Sequence, residues 1–196
     1  MHTTIKLFLL GLALSPAALA NPDYFPLKVG DSWNYRITSA GKTSNFTIKV
    51  VKQTGDQFQV ETTSTQVIDD WYSKSAGWVQ IHKTAYPKSK MTADMKPPRK
   101  LLKNPLMAGE KWDWKGTGMM GVSMEEHNKV VGAALVKVPA GEFGAMRLDT
   151  ACTQGGAKVS KVYYYAPNVG MVKSETESSG VKSTCELMDW SFKGRK

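Results

Sequence analysis

Few side chains in this chain could do chemistry. Of its three histidines, His2 lies in the N-terminal leader described below, which leaves His82 and His127. No stretch reads H-E-x-x-H, C-x-x-C or G-x-S-x-G, so the spacings that build a zinc-bound base, a redox dithiol or a nucleophile elbow are missing. Gly116-x-Gly118-x-x-Gly121 matches the glycine spacing of a dinucleotide loop. Such a loop needs a helix behind it to receive the phosphates, and no helical periodicity follows here. Asp69 and Asp70 are adjacent, and on a strand their side chains would point oppositely, so a turn is the better reading than a carboxylate pair. Without a convergent acid, base and nucleophile, the expectation is a non-enzymatic protein that carries no cofactor.

Two sets of soft ligands remain. Met119, Met120, Met124 and His127 lie close in sequence, with Met91, Met95 and Met107 upstream. Thioethers and imidazole suit Cu(I), so a copper-binding periplasmic protein is one alternative. On a strand, however, Met120 and Met124 share one face while Met119 and His127 take the other, and adaptable apolar lining is the plainer role for methionine. Cys152 and Cys185 are the only two cysteines. In an exported chain they are the candidate disulfide. A flat meander would set them about 14 Å apart, and a disulfide needs Cα atoms within about 7 Å. The pair can therefore form only if the sheet brings their strands together.

The elements that must position these residues are announced by a motif that occurs twice. Pro26-Leu27-x-x-Gly30-x-x-Trp33-x-Tyr35 returns as Pro105-Leu106-x-x-Gly109-x-x-Trp112-x-Trp114. Proline leads in extended, glycine permits a turn with positive φ, and two rings at alternate positions share one face of a strand. Further echoes follow in the same order: Lys49-Val50-Val51 with Lys129-Val130-Val131, and the stretch from Trp71-Tyr72 with that from Tyr164-Tyr165. The chain reads as two degenerate halves, about 24–82 and 103–193. Trp33, Tyr35, Trp112 and Trp114, with Met119 and Met120 near the rim, are the candidate lining of an apolar pocket; the plainer role of the rings is as core anchors.

Residues 1–20 read as a secretory signal, with Lys6, an apolar run from Leu7 to Leu14, and Ala18-Leu19-Ala20 as the cleavage site after Ala20. No cysteine follows that site, so a lipid anchor is not expected. Residues 21–196 then form a single β-rich domain, periplasmic or secreted. Phe46, Ile48 and Val50 alternate with polar neighbours as in a half-buried strand. Short β-rich runs are closed by Ala40-Gly41, Ala76-Gly77, Gly155-Gly156 and Ser179-Gly180. Eleven or twelve such strands predict an all-β fold with at most a minor helix, a curved antiparallel meander closing into a half-barrel or barrel. Residues 83–104 stand apart as a basic connector broken by Pro87, Pro97 and Pro98. Lys88, Lys90, Lys96, Arg99, Lys100 and Lys103 within it are candidates for meeting an anionic surface. The net charge of +9 accompanies neither a basic helix nor an aromatic–basic–glycine motif, so nucleic acid is not an expected partner.

The motifs Tyr24-Phe25-Pro26-Leu27-x-x-Gly30-x-x-Trp33-x-Tyr35, Val138-Pro139-Ala140-Gly141-x-Phe143 and Tyr164-Tyr165-Ala166-Pro167-x-Val169-Gly170-Met171-Val172-Lys173 resemble those of a family of small bacterial exported proteins, many of them lipoproteins, that carry a domain of unknown function. That domain is distantly similar to the half-barrel of periplasmic lipoprotein carriers and their outer-membrane receptor. The resemblance covers nearly all of 21–196 and implies a curved antiparallel sheet whose concave face holds an acyl chain or a partner segment. It carries over no catalytic residue. The chain departs from the pattern in lacking a lipidated cysteine and in its irregular, Met-rich 106–124 stretch. The function expected is that of an envelope protein binding a lipid or other apolar ligand. The alternative is a structural or adaptor protein acting through an envelope partner.

Overall fold

In a computed structural model, residues 21–118 and 121–194 are described. Met119, Met120, the leader and its cleavage site after Ala20 lie outside the described residues. Twelve strands follow in order: β1 (Ser32–Ser39), β2 (Lys42–Thr54), β3 (Gln57–Thr63), β4 (Val67–Ser75), β5 (Trp78–Tyr86), β6 (Met91–Lys103), β7 (Lys111–Thr117), β8 (Ser123–Val138), β9 (Gly141–Gln154), β10 (Ala157–Ala166), β11 (Gly170–Ser178) and β12 (Val181–Ser191). Each pairs antiparallel with the next, and β12 pairs with β1, so the meander closes into a barrel. A 3-10 turn, Pro87–Ser89, lies between β5 and β6.

Local chemistry explains the hairpins. Ala40-Gly41, Ala76-Gly77, Gly155-Gly156 and Ser179-Gly180 all have positive φ at both positions, the requirement of a two-residue turn whose twist matches the strands it joins. Alternation then sorts the faces. On β1, Trp33 and Tyr35 are buried; on β7, Trp112 and Trp114 are buried between exposed Lys111, Asp113 and Lys115. The inner side chains form three apolar clusters, one around Trp33, Tyr35, Val50 and Leu187, a second around Leu102, Trp112, Val130 and Leu148, and a small third of Trp114, Met124 and Cys152. Val136 and Val138, near the tip of the β8–β9 hairpin, join the first cluster, and the Ala140 N–H donates to the Leu187 carbonyl at 3.1 Å.

The two copies of the motif build the same local structure. The N–H of Gly30 donates to the Val50 carbonyl and that of Val50 to Asp31, both at 2.9 Å. Gly109, Val130 and Glu110 repeat the exchange at the same 2.9 Å. In each half a bulge follows, at Val51 and at Val131. A second matched pair of register shifts falls at Trp71/Tyr72 and Tyr164/Tyr165.

Two features differ from the sequence expectation. Most of the stretch read as a basic connector, 83–104, is barrel wall: it holds the end of β5, the 3-10 turn and strand β6. Cys152 and Cys185 are both free and buried. The disulfide does not form because the barrel closes elsewhere: β9 and β12 stay separated by β10 and β11. Cys152 packs beside Trp114 and Met124, while Cys185 belongs to the cluster around Trp33. Burial pushes both thiols up, Cys185 to about 12, so neither is a ready thiolate.

Candidate functional site

A cavity of about 400 Å³ lies within the barrel. Phe25, Pro26 and Leu27, ahead of β1, form part of its wall; the rest comes from β1–β6, β10 and the start of β11. Most of the lining is apolar, including Trp33, Ile48, Val60, Ile68, Ile81, Met95, Leu101 and Met171. The leading segment is fastened in place by Asp23. Its carboxylate accepts from Lys74 Nζ at 2.6 Å, Asn104 Nδ2 at 2.7 Å and the Phe25 N–H at 3.0 Å. The Phe25 ring packs on Tyr72 with centroids 5.2 Å apart.

Trp33 and Tyr35 are in the lining, and their polar tips are occupied. The Trp33 indole donates to the Val169 carbonyl and the Tyr35 hydroxyl to the Met171 carbonyl, each at 2.7 Å. Trp112 and Trp114 do not reach the cavity. They donate from Nε1 to the carbonyls of Lys100 (3.3 Å) and Pro98 (3.1 Å) on β6. The reason lies in the junction they serve. Strand β6 meets β7 through one register pair, Lys96 with Thr117, whereas the corresponding β12–β1 junction has eight. Pro97 and Pro98 have no N–H to donate toward β7, and the two indoles bond the strands in the other direction, from β7 to β6 carbonyls.

The polar members of the lining were not legible as a group. Arg99, placed by sequence with the surface cations, points inward. Its Nε donates to Glu126 Oε2 at 2.9 Å and its Nη2 to Oε1 at 2.7 Å, a bidentate fork. Glu126 is 1% exposed and Arg99 is 14% exposed at the side chain. Burial alone would lower the guanidinium's pKa; the Glu126 carboxylate outweighs it and holds Arg99 charged. Asp70 also lines the cavity and accepts a hydrogen bond from Thr84 Oγ1. Burial pushes its carboxyl up, against the Thr84 bond and the nearby Arg99 charge, which lower it. Tyr35 and Tyr72 are held well above the usual phenol range by burial. One cue was available in sequence: Asp70 and Tyr72 are two apart on a strand and so share a face.

The remaining candidates scatter. Lys103 is ion-paired to Glu110 at 2.6 Å, Lys88 Nζ donates to the Thr65 carbonyl, and Lys100 sits over the Trp78 ring. Lys90 and Lys96 are exposed. Met124 faces inward beside Cys152, whereas the His127 ring lies outside, 2.9 Å from Asp113. Of the soft ligands of the copper alternative, Met124 and His127 are therefore split between two faces, while Met119 and Met120 lie outside the described residues.

A family model described as DUF3108-like matches residues 33–185. Two crystal structures share the fold. A Bacteroides fragilis NCTC 9343 protein, named as exported and of YmcC-like fold, is 15% identical with a TM-score of 0.55, over 87% of this chain and 100% of that one. A Parabacteroides distasonis ATCC 8503 protein, named as a lipoprotein, is 14% identical with a TM-score of 0.50, over 88% of this chain and 100% of that one. No curated protein matches the chain in sequence.

Proposed function

The chain belongs to the DUF3108-like family, and from that premise we propose that it is an exported, non-enzymatic barrel of the bacterial envelope that holds a lipid or other apolar ligand in its interior. The observation that carries this reading is the cavity of about 400 Å³ with its lining of rings and aliphatic side chains. That volume is in the range of small-molecule sites, which are mostly apolar with a few placed polar groups. Export is supported by the leader-like residues 1–20 and by the names of the two solved relatives. A water-facing exterior fits the outer face of β8, where Glu125, His127 and Lys129 alternate with buried neighbours, unlike the apolar band of a membrane-spanning barrel. Lys88, Lys90, Lys96 and Lys100 would favour docking at an anionic leaflet, a contact that salt weakens.

The test is native mass spectrometry of the protein recovered from the host envelope without detergent, followed by organic extraction. A stoichiometric lipid adduct is expected, and it should be weakened in an Ile68→Trp variant that narrows the cavity but remains folded. Bare protein in repeated preparations would overturn the reading in favour of an adaptor that works through a surface partner.

A further inference from the structure

The charges at the cavity wall and directly behind it do not balance. Its lining holds one guanidinium, Arg99, and one carboxylate, Asp70. The guanidinium is already committed, by two hydrogen bonds, to Glu126 behind it. Buried Glu126 and half-buried Asp70 therefore share one cation, and Asp70 is the one left without an ion pair among the described residues. The other groups that act on Asp70 do not supply a charge to match it. Thr84 gives a hydroxyl, Tyr72 and Tyr86 are phenols, and Asp69 is a further acid. Lys161, whose charge acts on Cys152, lies outside the lining. An anionic head in this cavity would bring a third negative charge to one guanidinium. A head that donates hydrogen bonds, or carries a positive charge, would meet a carboxylate that holds hydrogen bonds from Thr84 and Tyr72 but no ion pair.

We propose that the site takes amphiphiles with a hydrogen-bond-donating head, an amine above all and a hydroxyl next, seated against Asp70, and that it discriminates against fatty acids. This deepens the apolar-ligand reading and rests on it. It also runs against the field of the whole chain. The net charge of +9 attracts carboxylates and repels ammonium groups at long range, so a preference for the amine can arise only locally.

The experiment measures binding of dodecylamine, dodecanol and dodecanoate, each below its micelle concentration, to the wild-type protein and to Asp70→Asn at physiological salt. Asparagine keeps an acceptor for Thr84 and removes the charge. Dodecylamine is expected to bind at least about tenfold more tightly than dodecanoate, the scale of a charge-assisted hydrogen bond. Asp70→Asn should erase that ratio. Comparable binding of all three probes, or dodecanoate binding tightest, overturns the head-group proposal and leaves the apolar site standing. A preference that survives Asp70→Asn also overturns it, because the selectivity then comes from elsewhere. Failure of all three dodecyl probes to bind removes the apolar-ligand reading and this proposal together.

Discussion

Asp70 illustrates how a single side chain can be costly to the fold and useful to the site. Burial favours its neutral form, and the charge of the neighbouring Asp69 adds to the upward shift, while the Thr84 bond and Arg99 offset part of it. Its pKa in the folded state lies above the unfolded value, so the folded protein binds the extra proton and loses stability as pH rises from about 3.8 through the folded pKa. Asp70→Asn should therefore be more stable than wild type at neutral pH. The gap should shrink as pH falls through the folded pKa and vanish below the unfolded one. Urea denaturation across that range checks it, and a gap of opposite sign would mean that the charged form of Asp70 is stabilised in the folded state. Trp112 is the contrasting case, a residue whose polar tip serves the fold. Trp112→Phe keeps most of the ring and removes the bond to the Lys100 carbonyl. It should cost about 1 kcal/mol without changing ligand binding, since Trp112 lies outside the cavity wall.

Among the elements, β6 and β7 form the weak junction. Opposite His82, Met95–Pro98 make no register pairs with β5, and only Lys96 pairs with β7. Hydrogen exchange should accordingly find the β7 amides that face β6 much less protected than those at the β12–β1 junction, where pairing is continuous apart from one bulge. Gly116 is what lets the two strands approach. A Cβ there would stand 2.6 Å from both the Lys96 carbonyl oxygen and the Trp114 ring. Gly116→Ala should cost about 1–3 kcal/mol as overpacking and speed exchange at this junction first. These strands also mark the limit of what the sequence discloses. Hairpin turns such as Ala40-Gly41 and the doubled proline–glycine–tryptophan motif are local, and their chemistry names the turn directly. Strand β6 is not local in that sense. Its prolines argue against a strand, and its bulges shift the pleat, so Arg99 turns inward out of a run of lysines that otherwise reads as surface. Glu126, the reason it does so, is distant in sequence. The cysteines fail for a similar reason, because their separation depends on where the barrel closes.

At the scale of the whole molecule, two six-strand halves with matching turns and bulges share one interior but close it differently. The first half, with the segment ahead of β1, supplies most of the cavity wall, while the second fills its share with Trp112, Leu148 and Trp114. The barrel can keep an open interior on one side because Asp23 holds that leading segment down. Besides the Lys74 and Asn104 bonds, its backbone carbonyl accepts from the Asn168 N–H at 2.6 Å, so one residue ties β4, the approach to β7 and the β10–β11 loop together. Burial works against the Asp23 carboxylate, but the bonds from Lys74 and Asn104 and the Lys74 charge prevail, and its pKa falls below 3.8. The sign is then the reverse of Asp70's: the stabilisation is complete above the unfolded pKa and is lost as pH drops through the folded one. Asp23→Ala should cost about 1–2 kcal/mol at neutral pH, a charge-assisted bond discounted for partial exposure, and wild type and variant should converge in acid. Because Phe25, Pro26 and Leu27 are released with Asp23, the variant should also lose bound amphiphile faster than its stability alone accounts for. Off-rates measured alongside urea midpoints separate the two effects. An unchanged off-rate would mean that the leading segment closes the barrel without holding what is inside it.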